Sequence, residues 1–265
     1  MRRPAVQWTI AILITLVSAL WQRWSGPTYP LRGQADLAGQ AITYKLARTY
    51  SITGRMPVAV KVPDTAVVGT VEWRRFPTND PWQTLPMTRG SESLETAIPP
   101  APVPLMPMAG KLEYRVVLAK GNARVSFPGR AAVARFKGDV PTWILIPHVA
   151  AMFFGMLFST RAALAAIFGG DTRLWGYLTV ALLVFGGFVL GPIVQKMAFG
   201  EYWTGIPWGY DLTDNKTLIA GVAWIIAAIQ LRGGRQARLA VVAATLVTMV
   251  VFAIPHSVWG SEAKW

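Results

Sequence analysis

Five apolar stretches, at residues 5–21, 142–160, 174–195, 217–231 and 239–259, decide what this chain can fold into. A bilayer core takes about 20 residues of helix. Four of the five stretches lie after residue 140, and core helices of soluble proteins are seldom apolar on every face. The fourth stretch is short and reaches spanning length once residues 214–216 are counted. Its aspartate then serves as a cap and its lysine reaches for the headgroups. Composition agrees: 15% of residues are charged, against roughly 25% in soluble domains, and mean hydropathy is +0.37. A chain without cysteine has no disulfide, thiolate nucleophile or cysteine-ligated metal.

Orientation follows from the basic residues beside each stretch. Arg2, Arg3, Arg161, Arg173, Arg232, Arg235 and Arg238 share one side with a single acid, Asp171. Lys196, Lys216 and Lys264 share the other with Glu201, Asp211, Asp214 and Glu262. The positive side faces the cytoplasm, so the N-terminus is inside, and residues 25–140 and the C-terminus are extracytoplasmic. The first stretch also fits a signal peptide, with Arg2-Arg3 ahead of the apolar run and Val17-Ser18-Ala19 as the cleavage site. A retained anchor over residues 1–24 is preferred on span length.

Residues 25–140 change character, with 15 Lys+Arg, 8 Asp+Glu and no spanning run. Leu112, Tyr114, Val116 and Leu118 alternate with Glu113, Arg115 and Val117, the period of a half-buried strand. Shorter alternations at 41–47, 57–62, 67–76, 94–98, 123–127 and 131–136 bring the expected strands to about seven, which reads as a β-sandwich of immunoglobulin or fibronectin type III kind. Trp73 or Trp82 is the expected core aromatic, and the prolines of 99–107 make a stiff crossover loop rather than a central strand. The basic residues Arg74, Arg75, Arg115, Arg124 and Arg135 are scattered at alternate strand positions and read mostly as a solvated face. Nucleic acid is not an expected partner of a domain placed outside the cytoplasm.

The last 125 residues, 141–265, then form a four-helix transmembrane region, and its unexplained polar groups fall near the outer side. His148 and His256, the two histidines, each follow a proline near a span end, and the loop after Lys196 adds Glu201, Asp211 and Asp214. Three chemistries suit them. His148 and His256 are candidate axial ligands of haem b, with Met152 as a soft ligand. The histidines with Glu201, Asp211 or Asp214 are candidate ligands of a divalent metal. The set also suits a proton relay. Against these stands simple capping and interfacial hydrogen bonding, which outweighs them, since no HxxxH or HExxH spacing is present. Arg161 is read as a headgroup anchor, and Gly187 and Gly191 as a small-xxx-small packing step ahead of Pro192. No phosphate loop, GxSxG elbow or paired-carboxylate motif appears, so an enzyme is not the expected class.

The stretches Ile146-Pro147-His148, Ser159-Thr160-Arg161, Gly191-Pro192-Ile193-Val194-Gln195-Lys196, Tyr202-Trp203-Thr204-Gly205, Asp211-Leu212-Thr213-Asp214-Asn215-Lys216-Thr217 and Ile254-Pro255-His256-Ser257 resemble a family of uncharacterised bacterial membrane proteins. The resemblance implies an extracytoplasmic Ig-like domain joined to a C-terminal four-helix membrane region, and no activity. The expected function is an inner-membrane accessory, assembly or interaction subunit of a complex with other membrane or periplasmic proteins. The alternative is a haem- or metal-binding redox protein.

Overall fold

The computed structural model describes residues 4–99, 106–231 and 234–256, the side chains of 234–236 excepted. Most of the proline-rich stretch, at 100–105, lies outside the described residues. The chain forms two compact units. One takes the N-terminal helix, Val140–Met197 and the described residues 201–256; the other takes Thr28–Asp139 with Ala198–Gly200.

The β unit holds ten strands among its described residues: β1 Leu31–Leu37, β2 Gln40–Leu46, β3 Thr49–Ser51, β4 Met56–Lys61, β5 Val68–Phe76, β6 Gln83–Pro86, β7 Thr88–Arg89, β8 Ser93–Ile98, β9 Lys111–Lys120 and β10 Ala123–Lys137. A five-stranded sheet runs β3-β10-β9-β5-β6, with β3 parallel to β10, and a three-stranded sheet runs β4-β8-β7. The hairpin β1-β2 turns at Ala38 and Gly39, whose φ values of 54° and 81° suit a tight two-residue hairpin turn.

The alternation of β9 holds in space: Leu112, Tyr114, Val116 and Leu118 are all buried. They meet Val71 and Trp73 of β5, Leu94 and Ile98 of β8 and Phe136 of β10 in one core. Trp73 is the core aromatic, whereas Trp82 is half-buried and carries the guanidinium groups of Arg74 and Arg115 over its ring at 4.7 and 4.9 Å. Burial pushes the pKa of the Tyr114 hydroxyl up, and that hydroxyl donates to the Ala47 carbonyl at 2.7 Å.

The expected strands at 123–127 and 131–136 are one strand. Its register jumps from Phe127 opposite Val116 to Ala132 opposite Tyr114, because Pro128 has no N–H for the ladder and the chain bulges there. The expected solvated basic face is largely an ion-paired one. Arg74 pairs with Glu113, Arg75 with Asp80, and Arg115 and Arg124 with Glu72, while Arg135 is 7% exposed. The hydrogen bond from Arg75 holds the Asp80 carboxyl below the usual carboxylate range.

The helical unit contains α1 Pro4–Ser25, α2 Thr142–Phe168, α3 Thr172–Leu183, a π-helical turn Val184–Leu190, α4 Gly191–Phe199, α5 Leu212–Gln230 and α6 Gly234–Ala253. Four helices, Pro4–Ser25, Thr142–Phe168, the continuous Thr172–Phe199 and Leu212–Gln230, are long and apolar enough to cross a membrane, and the apolar part of α6, Ala237–Ala253, is shorter. Large apolar side chains such as Leu13, Val17, Ile146, Ile229 and Leu246 point outward, the pattern of helices in apolar surroundings. The interior is built of small residues: Ala162, Ala220, Ala227 and Ala244 pack around Trp224, whose indole N–H donates to the Thr248 hydroxyl at 3.0 Å.

The helix α1 belongs to this packing. Its Gln7, Ala11 and Thr15 are buried, Trp21 donates to the Ala253 carbonyl at 2.8 Å, and Gln22 donates to the Phe252 carbonyl.

Two element boundaries differ from expectation. The helix α2 does not stop at residue 160 but continues through Ala162, Ala163, Ala165 and Ala166 to Phe168, because Arg161 interrupts the apolar run without ending the helix. The helix α5 starts a turn earlier than residue 214. Asp211 is its N-cap, accepting from the Thr213 N–H, and this leaves Asp214 in the first turn.

Candidate functional site

The two histidines line one cavity. A cavity of about 370 Å³ in the helical unit is walled by Thr15, Ser18, Ala19 and Gln22 of α1, Leu145, His148, Val149, Met152, Phe153 and Met156 of α2, Val194 of α4, Phe252 of α6, and His256. The volume sits at the lower end of the about 300 to 1,000 Å³ usual for small-ligand sites, enough for an ion with room around it or a single ring. It is small for a porphyrin. The lining is mostly apolar, with imidazole, hydroxyl, amide and thioether groups among its described residues.

His148 is held in one tautomer. Its Nδ1 lies 2.9 Å from the Gly186 carbonyl oxygen, which only accepts, so Nδ1 carries the proton and Nε2 keeps its lone pair when the ring is neutral. This is the arrangement that commonly orients a metal-binding histidine. The carbonyl is placed by the π-helical turn, where Gly186 also accepts the Gly191 N–H five residues on. Only glycine fits at this crossing: a Cβ on Gly186 would stand 2.8 Å from the Ala151 Cβ, and one on Gly187 would stand 2.6 Å from Thr217 Cγ2. The expected close packing at Gly187 is therefore against α5. Gly191 lies beside the His148 ring, with 3.8 Å between its Cβ position and His148 Cε1.

His256 lies three residues beyond the end of α6, within electrostatic range of His148, Lys216 and Asp211. Its position is set from α5. Lys216 does not reach outward to headgroups as its sequence position suggests; it is 2% exposed, and its ammonium donates to the Ile254 carbonyl at 2.6 Å and to that of Pro255 at 3.4 Å. A cation on the carbonyls just past a helix C-terminus satisfies groups the helix leaves open and suits its dipole. Lys216→Met keeps the volume but releases the chain before His256. Its expected result is a folded protein of near-normal melting temperature that binds ligand at the His148–His256 cavity about tenfold more weakly, read by titration against the unaltered protein. Unchanged affinity would remove Lys216 from the site.

The carboxylates of the expected metal set are placed otherwise. Asp214 is 5% exposed and ties down the loop before α5, accepting from Gln195 Nε2 at 2.9 Å, the Thr204 N–H at 2.6 Å and the Thr204 hydroxyl at 3.2 Å. Asp211 caps α5 at 2.7 Å, and Glu201 is exposed. Among the described residues no three His, Asp or Glu side chains form a group able to hold a metal ion. A metal at the cavity would have the two imidazoles and neutral neighbours, and no carboxylate from its walls.

Arg161 stands apart from this site. Instead of lying in headgroups it is 5% exposed, with its guanidinium 5.5 and 5.6 Å from the rings of Trp8 and Trp175, which meet each other edge to face at 4.9 Å. Among the described residues its Nε and Nη1 have no hydrogen-bond partner. Sequence reasoning missed this because the guanidinium is enclosed by α1 and α3, whose packing against α2 leaves no periodic signal. Comparison with protein-family models, with curated proteins and with solved structures finds no match.

Proposed function

We propose that this chain is an accessory subunit of the bacterial inner membrane whose helical unit binds a metal ion or small metal-centred ligand through His148 and His256. In this reading the N-terminus is cytoplasmic, the β unit is an extracytoplasmic Ig-like sandwich that engages other membrane or periplasmic subunits, and the helices cross the bilayer. The arginines of the segments at 160–174 and 231–239 support that orientation. The observation that carries the binding reading is the shared cavity, with His148 Nδ1 committed to Gly186 and Nε2 left as a donor. Two lone histidines at helix ends have no reason to meet on one cavity if each only satisfies its own helix.

The test is the metal content and absorption spectrum of the full chain purified in detergent, with His148→Ala and His256→Ala beside it. We expect stoichiometric metal in the parent and loss in either variant, at unchanged melting temperature. A Soret band would reassign the ligand to haem. Colourless, metal-free protein that refuses added metal but co-purifies with fixed partners would leave only the assembly role.

A further inference from the structure

We propose that the loop between α4 and α5 is an interfacial anchor, which seats Tyr202, Ile206, Trp208 and Tyr210 in the phospholipid headgroup layer of the outer leaflet. This rests on the spanning reading above and goes beyond it by giving the loop a partner. The nine residues 202–210, Tyr-Trp-Thr-Gly-Ile-Pro-Trp-Gly-Tyr, contain no acidic or basic residue. Trp208 is 80% and Tyr210 91% exposed, and Tyr202 and Ile206 are more than half exposed. Single exposed apolar residues are ordinary on any surface, but several on one short loop mark a surface that something covers.

The loop is tied from within, so these side chains are held outward. Asp214 accepts the Thr204 N–H at 2.6 Å, Asn215 Oδ1 accepts the Ile206 N–H at 2.8 Å, and the Gly205 carbonyl accepts the N–H groups of Trp208 and Gly209, both at 2.9 Å. Two glycines allow the turn: a Cβ on Gly205 would stand 2.7 Å from that of Asp214, and one on Gly209 would run into the Thr204 carbonyl oxygen. Trp203 turns inward instead and stacks on Phe188 at 6.0 Å. A loop whose backbone groups are satisfied within the chain can leave water at little cost.

Position and chemistry name what covers it. The helices on either side, Thr172–Phe199 and Leu212–Gln230, are both long and apolar enough to span, so their connection meets the bilayer surface. Exposed aromatics of the helical unit gather at the same side: Trp21 and Trp24 lie in the last turns of α1, and Trp143 opens α2. Toward the opposite ends, Trp8 and Trp175 are turned onto Arg161. Tryptophan and tyrosine, apolar rings with one polar tip, favour the headgroup boundary over both water and hydrocarbon. Lys196, its ammonium 5.3 Å from the Tyr202 ring, and exposed Glu201 supply the charge at the watery border of the loop. A protein-binding patch of this kind draws on arginine as well as aromatics, and residues 202–210 hold none.

Because the chain has no cysteine, Trp208→Cys, Tyr210→Cys, Asn122→Cys and Ile226→Cys each offer one site for a bimane label on the full chain. Asn122 lies in the exposed turn between β9 and β10, and Ile226 points outward from the middle of α5. The proteins are placed in vesicles of phosphatidylethanolamine and phosphatidylglycerol, with iodide on both sides of the membrane. Labels at 208 and 210 should emit to the blue of the label at 122 and be quenched about fivefold less. Quenching at 208 and 210 equal to that at 122, with 226 shielded, would overturn the anchor and leave the spanning reading standing. Free quenching at 226 as well would overturn both. Shielding of 208 and 210 in native membranes but not in pure lipid would give the surface to a protein and overturn the lipid assignment.

Discussion

Asp214→Ala should unfasten the loop between α4 and α5 and lower the stability of the helical unit by about 2 kcal/mol. The carboxylate is the shared acceptor for Gln195 Nε2, the Thr204 N–H and the Thr204 hydroxyl. The hydroxyl can turn elsewhere, and Gln195 Nε2 keeps the Thr204 hydroxyl oxygen as acceptor at 2.7 Å, but the Thr204 backbone N–H loses its acceptor, and a buried donor left without a partner costs about 1 to 3 kcal/mol. The site has little room to collapse, because a Cβ on Gly205 would already stand 2.7 Å from that of Asp214. Asp214→Asn keeps the shape and one acceptor but presents its own N–H groups to the Gln195 amide, so it should fall between the parent and alanine. Thermal unfolding in detergent gives the ranking, and limited proteolysis at 200–211 shows whether the loop is what opens. Equal melting temperatures with equal protease resistance would mean that the loop is held by its backbone bonds alone, such as Asp211 N–H to Thr204 carbonyl at 2.9 Å.

How much of this was legible beforehand depends on the range of the interaction. The strand β9 announced itself because burial alternates along three consecutive pairs of its own residues, 111–116, and the apolar helices announced themselves by run length. Both are local signals. The boundary of α2 was misplaced because an arginine inside an apolar run looks the same whether it ends a span or is enclosed by neighbours. The histidines drew notice as the only two in the chain, yet the features that make them a site are tertiary. The α1 residues Thr15, Ser18 and Gln22 supply one wall, and the Gly186 carbonyl that orients His148 comes from a π-helical turn, which has no hydrophobic period to read. The same holds for the carboxylates: Asp211 and Asp214 looked like ligands because they are charged near a predicted span end. In the fold that charge is spent on a cap and a loop.

Arg161→Met should make the protein more stable, by about 1 to 3 kcal/mol, the usual range when a buried ionic group is replaced by an apolar one of similar size. Burying a guanidinium costs several kcal/mol unless its five N–H groups are satisfied, and Nε and Nη1 have no partner among the described residues. The compensation is the cation–π contact with the rings of Trp8 and Trp175, at about 2 kcal/mol each when water is excluded. Two such contacts offset much of the desolvation and leave the orphan donors unpaid. Methionine fills the space beside the two rings with a polarisable thioether and has no donor to orphan. Arg161→Lys retains the charge but loses the flat surface that stacks, so it should be less stable than the parent. The predicted order by thermal unfolding is Met above Arg above Lys. A fall in stability for methionine would show that the guanidinium is satisfied in the folded protein by a group beyond the chain. A gain would mark Arg161 as a residue kept at a cost to stability, placed where α1, α2 and α3 meet.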